Sequence, residues 1–304
     1  MDIGVVIVTY NRADKLKKAL EVFDQQTSLP AYMIVVDNAS TDITPQLLEK
    51  WESEKRGYEK RVLHMPQNMG GSGGFYEGLK ISLDYNADWI WVSDDDAYPE
   101  DDALEKAKEY LKSCDDAINN IAAICGQVLN HSEPDYEHRR SIYTKGLAIR
   151  ETFSQKEDYK KEQFLINTFS YVGTIMNKQK LREAGLPQKD YFIWFDDTEH
   201  GLRMGKTGRI ICVPAIKIHH DVRKGKGETD WRTYYRYRNM TDCYRRNFPK
   251  RCYRWFYMKA RIKTILFRLW KMDRTERDML LAGIQDARHG KFGLHELYRP
   301  RWRP

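Results

Sequence analysis

The sequence is poor in cysteine and has no C-x-x-C pair. Cys114, Cys125, Cys212, Cys243 and Cys252 are scattered and odd in number, which argues against both a disulfide framework and a zinc-thiolate site. No stretch approaches the roughly 18 to 20 apolar residues needed to cross a bilayer. No signal-peptide pattern opens the chain, because the first apolar run, Gly4-Val5-Val6-Ile7-Val8, reads as a strand that ends in polar residues. The expectation is a reducing, cytoplasmic setting. Internal repeats and low-complexity linkers are also missing. The glycine cluster Gly70-Gly71-Ser72-Gly73-Gly74 lacks a following Lys-Ser/Thr, and its run from Gly71 and Gly73 ends at Tyr76 rather than glycine. Neither a P-loop nor the dinucleotide fingerprint is met.

What is present is a 304-residue chain with 41% hydrophobic residues, enough for one large domain or two smaller ones. Its charge is divided unevenly. Residues 223–304 hold 23 Lys/Arg against 8 Asp/Glu, net +15, whereas residues 1–222 hold 28 against 36, net −8. The two parts therefore meet different partners, and the basic, glycine-containing segment Arg223 to Glu228 is the candidate boundary or lid between them.

Through the first half, short apolar runs alternate with helical spacing. Strands are expected at Val5 to Tyr10, Met33 to Val36, Arg61 to Met65 and Trp89 to Val92. Helices are expected where Leu16, Ala19, Leu20 and Phe23 recur, at Asp42 to Glu54 and at Phe75 to Leu83. This order implies an α/β fold, a doubly wound, mostly parallel sheet with ligands at the carboxyl ends of its strands. Further strands are expected at Ile121 to Leu129, Ile142 to Ile149, Phe164 to Met176 and Arg209 to Val213, and a helical region after Trp231.

Polar residues gather at the strand ends. Trp89-Ile90-Trp91-Val92-Ser93 runs into Asp94, Asp95 and Asp96, and three adjacent carboxylates repel one another unless a cation offsets them. Hard oxygen donors suit Mg²⁺ or Mn²⁺, which usually share one or two carboxylates with substrate phosphates. The alternative is a solvated acidic loop that opens a helix near Asp101. The glycine cluster can present backbone N–H groups to an anion, or can simply be a tight turn. A second apolar run, Tyr191 to Phe195, ends in Asp196, Asp197 and Glu199. Asp196 and Glu199 have capping-box spacing, which would leave Asp197 free to take a proton from a hydroxyl. Of His219 and His220, adjacent on a strand, at most one can reach a cleft.

Five motifs in order carry a family resemblance: Val8-Thr9-Tyr10-Asn11-Arg12, Val36-Asp37-Asn38-Ala39-Ser40-Thr41-Asp42, Gln67-Asn68-x-Gly70-Gly71-x-Gly73-Gly74, Asp94-Asp95-Asp96 and Asp196-Asp197-x-Glu199. Together, over about residues 1–222, they resemble the family 2 glycosyltransferases. The resemblance implies a GT-A type nucleotide-sugar-binding catalytic domain over 1–222, an inverting mechanism and Mn²⁺ or Mg²⁺. It also implies that Thr9, Asn11, Arg12, Asn38, Asn68 and Gly73 line the donor pocket, that Asp37 meets the base, and that Asp94 and Asp95 bind the nucleotide sugar. Asp96 is then the leading metal ligand and Asp94 the next. The continuation through Gly201-Leu202-Arg203, Ile218-His219-His220-Asp221 and Trp231-x-x-Tyr234-Tyr235-x-x-Arg238-Asn239 resembles bacterial galactofuranosyltransferases. In that pattern Asp197 is the base, beside Asp196, and His220 is a metal ligand. His219 departs from it, standing where those enzymes tend to carry an aromatic residue. Rhamnosyltransferases share much of the pattern. A UDP-sugar donor, UDP-galactofuranose first, and a lipid-linked glycan acceptor follow as expectations.

From Arg245 to Lys271, Arg and Lys alternate with Phe248, Tyr253, Trp255, Phe256, Ile262, Ile265, Phe267 and Trp270. Such a segment suits an anionic membrane surface at the inner face of the plasma membrane, or packs as a helix on the catalytic domain with a solvated basic face. No nucleic-acid motif accompanies the charge. The non-enzymatic alternative is a membrane- or nucleic-acid-binding protein whose acidic clusters only cap helices.

Overall fold

A computed structural model of the chain describes residues 1–220, 222 and 229–303. The expected boundary or lid, Arg223 to Glu228, lies outside the described residues. The first half reads β1 (Ile3–Thr9), α1 (Ala13–Asp24), β2 (Tyr32–Asp37), α2 (Thr44–Ser53), β3 (Glu59–His64), α3 (Gly70–Ser82), β4 (Trp89–Asp94), β5 (Tyr98–Pro99) and α4 (Ala103–Ser113). There follow β6 (Ile121–Asn130), β7 (Glu133–Pro134), β8 (Arg139–Lys145), β9 (Ala148–Phe153), β10 (Phe164–Ile166), β11 (Thr168–Phe169), β12 (Thr174–Asn177), α5 (Lys178–Ala184), α6 (Asp196–Met204) and β13 (Arg209–His219). Three helices, α7 (Trp231–Asn247), α8 (Lys250–Ile265) and α9 (Arg274–His289), close the chain.

The main sheet runs β10-β13-β6-β12-β4-β1-β2-β3, with β5 and β7 at its edges. Strands β4, β1, β2 and β3 are parallel, in registers such as Val6↔Val92 and Val5↔Met33, while β12 enters antiparallel between β4 and β6. Strand β1 is buried along its whole length because helices cover both faces. Alternation then sorts the side chains. Trp89 and Trp91 join Leu16, Leu20 and Phe23 of α1 on one face, and Ile90 and Val92 join Phe75 and Leu79 of α3 on the other. Each fully buried aliphatic side chain contributes about 1.5–3 kcal/mol, so the sheet holds the strand ends rigid.

Three local expectations are corrected. The glycine cluster is the start of α3 rather than a loop ahead of it. Gly74 and Gly78 allow the helix to lie close to the sheet, since a Cβ would stand 2.4 Å from Val8 Cγ1 and 2.5 Å from Val6 Cγ1 respectively. The stretch Ile142 to Ile149 is a hairpin, β8 and β9, in a separate three-stranded sheet with β11. The stretch Phe164 to Met176 is three short strands, interrupted before β12 by Gly173 at φ +64°.

Candidate active site

Strand β4 delivers the aspartate triplet to the carboxyl end of the sheet, and three neighbouring elements converge on it. From β1, the Thr9 hydroxyl donates to Asp95 Oδ2 at 2.7 Å. From the start of α1, Arg12 Nη1 donates to Asp95 Oδ1 (3.1 Å) and Asp96 Oδ2 (2.9 Å), and Lys15 Nζ donates to Asp96 Oδ2 (2.7 Å). Cations at a helix N-terminus oppose its dipole, so the triplet is what makes this placement favourable. From the end of β13, His220 Nε2 lies 3.2 Å from Asp96 Oδ1. His219, one residue earlier, faces away, with Nε2 3.5 Å from Glu100. Lys15 carried no motif signal beyond its place three residues after Arg12.

Asp94, Asp96 and His220 each offer a ligand atom, all within 4.8 Å of one another. Burial, together with the charges of Asp96 and Asp95, pushes the Asp94 carboxyl up to about 7, although His220 and Arg12 pull it down. Burial also raises Asp95. Burial opposes ionisation of Asp96 as well, yet hydrogen bonds from His220 and Lys15 hold it below the usual carboxylate range. Burial alone would lower His220; the Asp96 hydrogen bond and the Asp94 charge outweigh it and raise the imidazole. Among the described residues His220 Nδ1 has no partner. Two carboxylates and one imidazole around a common point, with one carboxyl strained toward neutrality, fit a divalent cation of the Mn²⁺ or Mg²⁺ type.

The remaining strand-end residues are tied to one another. Asn11, at φ 53°, accepts from Thr41 N–H (2.7 Å), and its own N–H donates to Ser40 Oγ (2.9 Å), tying the ends of β1 and β2 together. Asp37 is buried; it accepts from Ser40 N–H at 2.9 Å and faces His64 Nδ1 at 2.9 Å. His64, which no motif marked, thus joins the end of β3 to the end of β2. Asn38 Nδ2 donates to Gly70 O (2.8 Å) and its Oδ1 accepts from Met69 N–H (2.9 Å), while Asn68 Oδ1 accepts from Gly70 N–H (2.8 Å). Asn38 and Asn68 therefore fasten the entry to α3. Gly73 packs its bare Cα against Met69, where a Cβ would approach to 2.3 Å.

The second acidic pair opens α6. The expected capping box is absent. Phe195, at φ 68°, is the N-cap, Asp196 is the first helical residue, and Glu199 reaches forward to Arg203 at 2.9 Å instead of back. Nor does Asp102, the N-cap of α4, make a side-chain cap bond. Burial, then the neighbouring Asp197 charge, pushes Asp196 up to about 8. Asp197 is half-buried, and its Oδ1 accepts from Thr198 N–H (2.5 Å) and Thr198 Oγ1 (3.0 Å). The approach to this pair is strained: Phe192, Trp194 and Phe195 sit at φ 67°, 64° and 68°, each at a cost of about 1–3 kcal/mol. Phe192 O accepts from Ser72 N–H at 3.3 Å and abuts Gly70, whose φ is +70° and whose Cβ would stand 1.9 Å from that oxygen. The start of α6 is thus joined to the start of α3 at the same end of the sheet as the triplet.

Similarity to known proteins follows this geometry. The galactofuranosyltransferase GlfT1 of Mycobacterium tuberculosis is 29% identical over 221 residues, 70% of this chain and 68% of that protein. The dTDP-rhamnosyl transferase RfbF of Shigella flexneri is 24% identical over 223 residues, 73% of this chain and 69% of that one. Among solved structures, the mannosyltransferase PcManGT from Pyrobaculum calidifontis in complex with GDP-Man and Mn²⁺ superposes with a TM-score of 0.58 at 15% identity, over 95% of this chain and 87% of that one. That likeness gives the fold, a GT-A type sheet with a helical C-terminal region. The model of Glycosyl transferase family 2 matches residues 4–185, and the chain belongs to that family.

Proposed function

We propose that the chain is an inverting, metal-dependent hexosyltransferase that moves galactofuranose from UDP-galactofuranose onto a hydroxyl of a growing, lipid-linked bacterial glycan. The observation that carries this reading is the pairing of two acidic centres at one end of the sheet, one gathered by Arg12, Lys15 and His220 and the other at the start of α6. Asp94, Asp96 and His220 would hold Mn²⁺ or Mg²⁺. When bound, such a cation offsets the charge that builds on the leaving diphosphate. Thr9, Asn11, Arg12, Asp37, Asn38, Asn68, Gly73 and Asp95 form or brace the donor pocket. Asp197 is the base. It is held by Thr198, it is more open than Asp196, and its neighbour is largely protonated at neutral pH, so a hydroxyl proton passes to Asp197 as the acceptor oxygen attacks from the face opposite the diphosphate.

The donor assignment is supported by GlfT1, whose name states a galactofuranosyl activity. RfbF favours a second reading, a dTDP-rhamnosyl donor on the same site. The acceptor and location are supported by the surface of α8. Trp255, Met258, Ile262 and Ile265 are exposed at alternating spacings of three and four residues, and Leu266, Leu269 and Trp270 extend the stripe. Arg251, Arg254, Lys259, Arg261 and Lys263 share the helix, a composition that suits anionic lipid headgroups at the inner face of the plasma membrane. No helix among the described residues is long and apolar enough to cross a membrane. Incubation with a panel of UDP- and dTDP-sugars, with nucleotide release as readout, tests the proposal. Turnover of UDP-galactofuranose alone supports the first reading, of dTDP-rhamnose the second, and no release with any donor overturns both.

A further inference from the structure

The three left-handed residues ahead of α6 are aromatic, with no side-chain hydrogen bond of their own to favour that backbone path. Such a path persists only where the surroundings over-determine it, and here they come from α7. Asn239, fully buried, donates from Nδ2 to the carbonyls of Tyr191 (2.9 Å), Ile193 (2.9 Å) and Trp194 (2.8 Å). Two amide protons thus serve three acceptors. Arg238 Nε donates to Asn239 Oδ1 at 3.0 Å, which fixes the end of the amide that faces the loop. Arg238 is itself buried. Its Nη2 donates to Tyr191 O (2.9 Å) and its Nη1 to Gly293 O (2.8 Å), and Gly293 N–H donates to Asp190 O (2.7 Å). The guanidinium lies 4.9 Å from the Tyr235 ring centroid and 5.4 Å from that of Phe292, so carbonyl oxygens and ring faces surround its charge. On its other side the same loop meets α3 through Phe192 O and Ser72 N–H.

We propose that Asn239, oriented by Arg238, is a positioning residue for the transfer step: it clamps Tyr191 to Trp194 in the left-handed path that sets Asp197 at the start of α6. The inference rests on the reading of Asp197 as base. The clamp touches no substrate atom and acts through the loop. Misplacement of a reacting group by about 1 Å can cost about 10²-fold in rate.

The test is a double-mutant cycle of Asn239→Ala and Asp197→Asn. It uses the donor selected by the nucleotide-sugar panel, and active protein is counted from the stoichiometry of UDP binding. Asn239→Ala should lower kcat about 10- to 100-fold with the donor KM within about twofold, and should lower transfer to acceptor more than hydrolysis of the donor by water. In the Asp197→Asn background the same change should add less than about twofold, because the group it positions is gone. An undiminished loss in that background would assign Asn239 to general stability and overturn the proposal. Full kcat in Asp197→Asn alone would instead remove the base reading and the clamp with it. Should Asn239→Ala fail to fold, Arg238→Lys keeps the charge, removes the Nε donor and runs through the same cycle with the same criterion.

Discussion

Replacement of Asp196 and Asp197 separately by Asn distinguishes two carboxyls that adjoin in sequence but differ in environment. Asp196 is buried and its carboxyl is pushed from near 3.8 up to about 8, so at pH 7 roughly nine molecules in ten carry the proton there. Asn is a close neutral replacement for that form. Asp196→Asn should therefore retain kcat within a few-fold at pH 7, whereas Asp197→Asn should lower kcat by at least about 10²-fold with donor affinity unchanged. Stability gives an independent readout. A carboxyl whose folded value exceeds its unfolded value binds more protons when folded between about 4 and 8. Its contribution is fully present below about 4 and is lost as pH rises through about 8. Across that window the wild type should lose up to about 1.4 kcal/mol per pH unit relative to Asp196→Asn. Urea unfolding at pH 6, 7.5 and 9, with steady-state transfer at each pH, measures both effects. Asp196→Asn that abolishes turnover while Asp197→Asn does not would reverse the roles, and a variant no more stable than wild type at pH 9 would refute the burial argument.

Other perturbations have equally definite outcomes. Gly70→Ala forces a Cβ to within 1.9 Å of Phe192 O at φ +70° and should cost at least about 2 kcal/mol in urea unfolding, given the left-handed penalty and the backbone clash. Glu199→Gln removes the fully buried carboxylate that pairs with Arg203 while Arg203 keeps the carbonyls of Ala184, Gly185 and Leu186, and should cost about 2 kcal/mol by the same measurement. Co-sedimentation with anionic vesicles should exceed that with neutral ones and fall at high salt, at roughly 1 kcal/mol per basic residue near the surface. Gln at Arg254, Lys259, Arg261 and Lys263 should weaken it, and equal sedimentation with both lipids would leave α8 as a packing helix only.

The central sheet was legible because its strands are continuous apolar runs buried on both faces. Trp89 to Val92 was expected and Trp89–Asp94 is observed; Met33 to Val36 was expected and Tyr32–Asp37 is observed. Helix α3 begins at Gly70, ahead of the expected Phe75, although glycine disfavours helices by about 1 kcal/mol each. Close packing against Val6 and Val8 overrides that preference. The β8–β9 hairpin was hidden because its faces alternate little, and the capping box misled because the spacing of Asp196 and Glu199 says nothing about whether Phe195 can adopt φ 68°. The triplet and the acidic pair stand out by side-chain chemistry; strand alternation says only that one of His219 and His220 can reach the cleft, and the choice of His220 comes from the family resemblance. Lys15, which bonds Asp96, His64, which faces Asp37, and Asn239, which holds the loop ahead of α6, come from distant elements and carry no local signal.

The central claim is that Asp94, Asp96 and His220 bind a nucleotide diphosphate through a divalent cation. Calorimetric titration of UDP into the protein with Mn²⁺, with EDTA, and into Asp96→Ala with Mn²⁺ tests it most directly. Saturable binding should occur with Mn²⁺ and be lost both in EDTA and in Asp96→Ala. Equal UDP affinity in EDTA would contradict the account.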